Sequence, residues 1–145
     1  MPFRFPLQQV LAFREQLKDQ AQVELARVLA ELQREQAYLA LLQTQLREQE
    51  EALYVAPLDD SGQRWLLDNF IKGLHADIHG TLARIQTANS RVEDARKALA
   101  LRAKEHKVLD KLKARQAERH ASNERLQEQR TYDETAALRF KAPTF

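Results

Sequence analysis

The sequence predicts an all-α chain, a long antiparallel two-helix coiled coil, or helical hairpin, with a longer second helix. Three observations carry this. Hydrophobic residues make up 43% of the 145 positions but aromatics only 7%, while charged residues reach 30%. Leu and Ala interleaved with Glu, Gln, Lys and Arg are the composition of long solvated helices, not of a thick core. Helix breakers are scarce and placed at the margins: the prolines are Pro2, Pro6, Pro57 and Pro143, and the glycines are Gly62, Gly73 and Gly80, so two long stretches run without a proline. Within those stretches apolar residues recur at alternating steps of three and four, the pattern of one buried stripe per helix.

The first helix is expected over about residues 6–54. Its stripe reads Leu7, Val10/Leu11, Leu17, Ala21, Leu25, Val28, Leu32, Leu39, Leu42, Leu46 and Leu53, and at 1.5 Å per residue it would be about 70 Å long. Residues 55–62, Val-Ala-Pro-Leu-Asp-Asp-Ser-Gly, gather proline, aspartate, serine and glycine, each a turn former, and are expected to make the hairpin tip. Asp60 followed three residues later by Gln63 resembles a capping box for the next helix.

The second helix is expected over about 63–140, with a stripe of Leu67, Phe70/Ile71, Leu74, Ile78, Leu82, Ile85, Val92, Leu99, Ala103, His106, Leu109 and Leu112. A pivot near residue 59 sets Leu46 against Ile71, Leu39 against Ile78, Leu32 against Ile85, Leu25 against Val92 and Leu7 against the region of Leu109 to Leu112. That register exhausts the first helix near residue 112. It leaves some 25 to 30 residues, about 40 Å of helix, with no partner in the chain, and such a tail is expected to fray alone. The whole chain, 1–145, is expected to form one coiled-coil hairpin and a monomer, since the stripe is satisfied internally.

Charge is uneven. Residues 1–62 hold 6 basic and 10 acidic side chains, and residues 63–145 hold 17 and 11, so an antiparallel pair sets an acidic helix against a more basic one. There is no cysteine, which excludes a disulfide framework and a thiolate metal site. No run approaches the ~18 apolar residues of a membrane span and the start of the chain lacks the apolar core of a signal peptide, so no direct membrane insertion is expected and the cytoplasm is the default address.

Few residues invite chemistry. His75 and His79 stand at a zinc-compatible spacing, but Ala76 follows the first histidine and no third ligand is evident, so no metal is expected. Glu50/Glu51, Asp59/Asp60 and Asp133/Glu134 are paired carboxylates, yet acid-base work needs a water-excluding cleft that a hairpin does not supply. No phosphate loop or nucleophile elbow occurs, and the expectation is of no enzyme and no cofactor. Lys107, Lys111, Lys113, Arg115, Arg119, Arg125 and Arg130 form a basic run interrupted by Asp110, Glu118, Glu124 and Glu128, without aromatics to stack bases, so a solvated helix face is expected in place of a nucleic-acid site. Gly73 and Gly80 each cost a helix about 1 kcal/mol; they admit close approach of another helix or are tolerated weak points. Tyr54, Trp65 and Phe70 near the tip either pack together or form a docking patch.

Phe3-Arg-Phe-Pro-Leu7 with Val10-Leu11 at one end, and Leu109-Asp-Lys-Leu112 with Arg115 and Arg119, then Asp133-Glu-Thr-Ala136 with Arg139-Phe140, at the other, resemble the FliJ family of bacterial flagellar type III export proteins. The Arg64-Trp65, Phe70-Ile71 and Leu74 run after the tip is similar as well. The resemblance implies a non-enzymatic stalk, like the coiled coil of the rotary ATPase gamma subunit, whose paired ends enter the hexameric export ATPase. By that analogy Phe3, Phe5, Leu7, Arg115, Arg119, Arg125, Arg130 and Arg139 would contact the ATPase. It also implies contact with the membrane export gate through Leu42, Phe70 and Leu74, although Gln45, Gln49, Asp77 and Thr81 depart from residues of some relatives. Export chaperones are further partners it suggests, and it would hold the chain at the cytoplasmic face of the inner membrane. The alternatives are the stalk of a virulence-type secretion system and a helical-hairpin chaperone or scaffold.

Overall fold

The structure is a computed structural model that describes residues 1–140. It contains two long helices, α1 (Gln8–Val55) and α2 (Ser61–Arg139), the helical hairpin the stripe predicts. Contacts group the chain into two compact units, Asp19–Ala100, and Met1–Lys18 with the chain from Leu101 onward.

In the unit Asp19–Ala100 the seam of α1 follows Ala21, Leu25, Val28, Leu32, Glu35, Leu39, Leu42, Leu46, Gln49 and Leu53 in alternating steps of four and three, with Leu29, Glu31, Gln45 and Ala52 half-buried at its flanks. On α2 it follows Leu67, Ile71, Leu74, Ile78, Thr81, Ile85, Ala88, Val92, Ala95 and Leu99, with Arg64 and Gly80 also half-buried. One stripe position of α2 carries bulky Ile and Val, the other shrinks from Leu74 through Thr81 to Ala88 and Ala95, so large side chains from α1 fit above small ones. The tightest cluster is Val28, Val92 and Ala95, with Leu25, Leu29 and Leu32 against it, in keeping with the expected pairing of Leu25 and Val92.

In this unit Leu82 is displaced from the expected stripe. Leu82 is 49% exposed and Thr81 is fully buried, because the alternation runs Ile78, Thr81, Ile85 and leaves Leu82 outside the seam. The Thr81 hydroxyl donates to the Asp77 carbonyl at 2.8 Å and accepts from Arg84 Nη2 at 2.9 Å. Arg84 Nε in turn donates to Glu35 Oε2 at 3.1 Å. A polar layer thus crosses the helix pair without an unsatisfied buried side chain among the described residues.

At the tip, Asp60 Oδ1 accepts from the Gln63 amide at 3.1 Å, which is the N-cap half of the expected box. The reciprocal half is replaced: the Asp60 amide donates to the Pro57 carbonyl at 3.2 Å. Arg64 Nη1 reaches back to the Leu53 and Ala56 carbonyls at 3.4 and 3.3 Å. A cation there satisfies helix-end acceptors and the negative end of the α1 dipole together.

In the other unit, the stretch before α1 is not helical. Pro2 and Pro6 lack the amide hydrogen a helix needs and bias Met1 and Phe5 toward extended backbone. This corrects the expected length of the partnerless tail. Six residue steps at roughly 3.3 Å cover about 20 Å, the length of about 13 helical residues, so the segment follows α2 well beyond Leu112. Half-buried positions on α2 accordingly continue through Gln116, Ala117 and His120 to Glu124, and residues 125–140 are all exposed.

Because each helix buries one stripe, single core positions should matter. Val28→Ala is expected to lower unfolding free energy in urea by about 1.5–3 kcal/mol through lost burial and a residual cavity. Val23→Ala, on the 70% exposed side of the same helix, should stay within about 0.5 kcal/mol of the parent.

Candidate functional site

The sequence-predicted site residues divide between the two units. In the unit holding both chain ends, Phe5 is 7% exposed, the buried side chain of the extended segment. Phe3, half-buried, meets the His120 ring at a centroid distance of 5.6 Å and an interplanar angle of 53°, a tilted aromatic contact. The Met1 ammonium donates to Glu124 Oε1 at 3.0 Å, and that hydrogen bond, with the ammonium and His120 charges, holds the Glu124 carboxyl below its ordinary range. Leu7 is half exposed at the start of α1, 39% by area. Deeper in this unit Glu105 Oε2 accepts from Arg14 Nη1 at 2.7 Å and from Arg102 Nη1 at 3.2 Å, an ionic layer that ties α1 to α2.

The five arginines expected to act with this segment are all exposed. At 3.6 residues per turn Arg115, Arg119 and Arg130 fall within about 60° of one another around α2, while Arg125 and Arg139 share another side. The structure therefore gathers three of them on one face and not all five. None forms an ion pair among the described residues. Phe3 and Phe5 are largely spent on holding the segment in place.

In the unit Asp19–Ala100, Leu42, Phe70 and Leu74 come together in one open groove of about 470 Å³, which Tyr38, Leu41 and Gly73 also line. Leu42 and Leu74 are 3% and 4% exposed and belong to the seam, whereas Phe70 is 51% exposed. Tyr38 and Leu41 are the residues sequence reasoning missed. They stand between stripe positions on α1, and only the side-by-side placement of the helices reveals that they face Phe70.

The tip aromatics do not pack on one another. Tyr54 is 90% and Trp65 65% exposed, and the stacking recorded among the described residues is that of Phe3 on His120. His75 Nε2 lies 3.9 Å from Glu50 Oε1, and the described residues hold no cluster of three or more potential metal ligands. No described helix is long and apolar enough to cross a membrane.

A family profile described as Flagellar FliJ protein matches residues 3–144. The chain belongs to the FliJ family. That match includes both ends and the run after the tip, the same places where the sequence resembles the family, and it makes the chain a flagellar export apparatus component. No curated protein and no solved structure matches the chain.

The N-terminal segment supplies a prediction. Phe5→Ala should release residues 1–7 from α2 and raise the rate of tryptic cleavage after Arg4 by at least about tenfold, given the ~3 kcal/mol that truncating a buried phenylalanine typically costs. An unchanged cleavage rate would show that the segment is held by something other than Phe5.

Proposed function

We propose that this FliJ-family chain is a non-enzymatic stalk of the flagellar type III export apparatus, which binds the hexameric export ATPase by its chain ends and links it to the membrane export gate through the groove near its tip. The observation that carries the reading is the mismatch in helix length. α2 continues as helix to Arg139 although its half-buried positions end at Glu124, so fifteen residues, 125–139, present an exposed helix beyond the anchored N-terminal segment of Phe3, Phe5 and Leu7. A helix of that length is marginal in water by itself and gains stability against a partner surface.

Exposed Arg115, Arg119 and Arg130 supply charge for orienting such a contact, and Arg125 and Arg139 offer a second side. Leu42, Phe70 and Leu74 supply the gate-facing groove. In this reading the chain is cytoplasmic, sits at the membrane only through its partners and contributes shape and contacts while the ATPase performs hydrolysis.

The test is the rate and oligomeric state of the cognate export ATPase with the full chain, and with a version ending at Glu124 that keeps the N-terminal segment paired. Stimulation or hexamer formation should require residues beyond 124. Arg115→Glu with Arg119→Glu should weaken binding by about tenfold or more, and less so at high salt. An ATPase that is competent but indifferent to the full chain overturns the stalk reading.

A further inference from the structure

Gly73 lies well inside α2, where glycine is the poorest helix former after proline. Its backbone has no positive φ, so no turn requires it. A Cβ built there would meet nothing within 4 Å, so no close approach within the chain requires it either. Gly80, one heptad further on, differs, because Arg84 Nη1 would sit 3.7 Å from its Cβ. The free space over Gly73 is the floor of the groove already described, walled by Tyr38 and Leu41 of α1 and Phe70 of α2, which are 42%, 53% and 51% exposed.

Asp77 stands one helical turn from Gly73 and lines the same groove, where it is the charged lining residue. Its carboxylate forms no ion pair among the described residues, and no lysine or arginine lines the groove beside it. The notch, which polar Gln45 and Asn69 also line, therefore combines apolar side chains from both helices, a missing side chain and one unpaired carboxylate at a turn's distance.

We infer that Gly73 and Asp77 determine specificity in this groove: the notch over Gly73 takes an apolar side chain from a partner helix, and Asp77 pairs with a lysine or arginine about one turn along that helix. This rests on the reading of the groove as the gate-docking surface and adds which residues decide the fit. The glycine weakens the free helix and supplies room only when a partner is bound. Asp77 rejects partners that bring an acidic residue to that place.

The test is isothermal titration of the full chain, and of its Gly73→Ala, Gly73→Leu, Asp77→Asn and Gly80→Ala variants, with the cytoplasmic domain of the export gate protein from the same organism, alongside thermal melts. Both Gly73 variants should melt above the parent, since the added atoms enter open space. Their affinity should nonetheless fall, by about tenfold for alanine and further for leucine. Gly80→Ala should raise the melting temperature with affinity unchanged, and Asp77→Asn should lower affinity and flatten its salt dependence. If the parent binds and the Gly73 variants bind equally well, the notch is overturned while the gate reading stands. If the parent itself does not bind, both fall.

Discussion

A pair of helices buries one stripe on each, and everything else about this chain follows from how narrow that stripe is. With no third layer, one step off the alternation is enough to expose a large side chain, as at Leu82 beside fully buried Thr81. Mean burial is low, so stability depends on regular spacing sustained over many turns instead of on a few large side chains. That is why the chain can be rich in Leu and poor in aromatics, and why it keeps proline out of both helices.

A long, regular stripe has a second consequence: it could slide. Leucines seven residues apart look alike to one another, and a shift by a heptad conserves most apolar contacts. The polar layers oppose this. Two of their contacts cross between the helices, Arg84 to Glu35 in one unit and Arg14 to Glu105 in the other, and these belong to the observed register. The sign of the pairing also alternates: the acid is on α1 at Glu35 and on α2 at Glu105. A shift would part Arg14 from Glu105 and Arg84 from Glu35, and half-buried carboxylates are costly to leave short of partners. Register is thus set by a few charged positions inside a seam whose stability is apolar.

The two helices, the tip and the pairing of Leu25 with Val92 were legible because they rest on periodicity and on local turn chemistry, both of which are properties of the chain read in order. The family was legible in the same way, from residues at the two ends and after the tip. Other features depend on comparing two parts of the chain in space. The reach of Met1 to Pro6 along α2 lay outside a register that ended with the first helix, and their prolines favour an extended path about twice as long per residue as a helix. Leu42, Phe70 and Leu74 do meet in one groove, but Tyr38 and Leu41, which widen it, occupy no stripe position and carry no sequence signal. Arg64 acts across the tip on carbonyls of α1, a role invisible until the turn geometry is known.

Exposure alone does not mark a binding surface in such a chain. Val23, Phe13 and Leu101 are 70%, 55% and 54% exposed, and scattered apolar residues on the outer face of a two-helix pair are its ordinary condition. What separates the groove around Gly73 is coincidence of independent features: apolar side chains from both helices, a helix-weakening residue with no use inside the fold, and an unpaired carboxylate one turn away. A solvated face would be improved by replacing that glycine, since nothing stands in the way of a side chain. A weak point that the fold could remove without steric cost, located where three exposed apolar residues converge, is best explained by what the surface must leave empty.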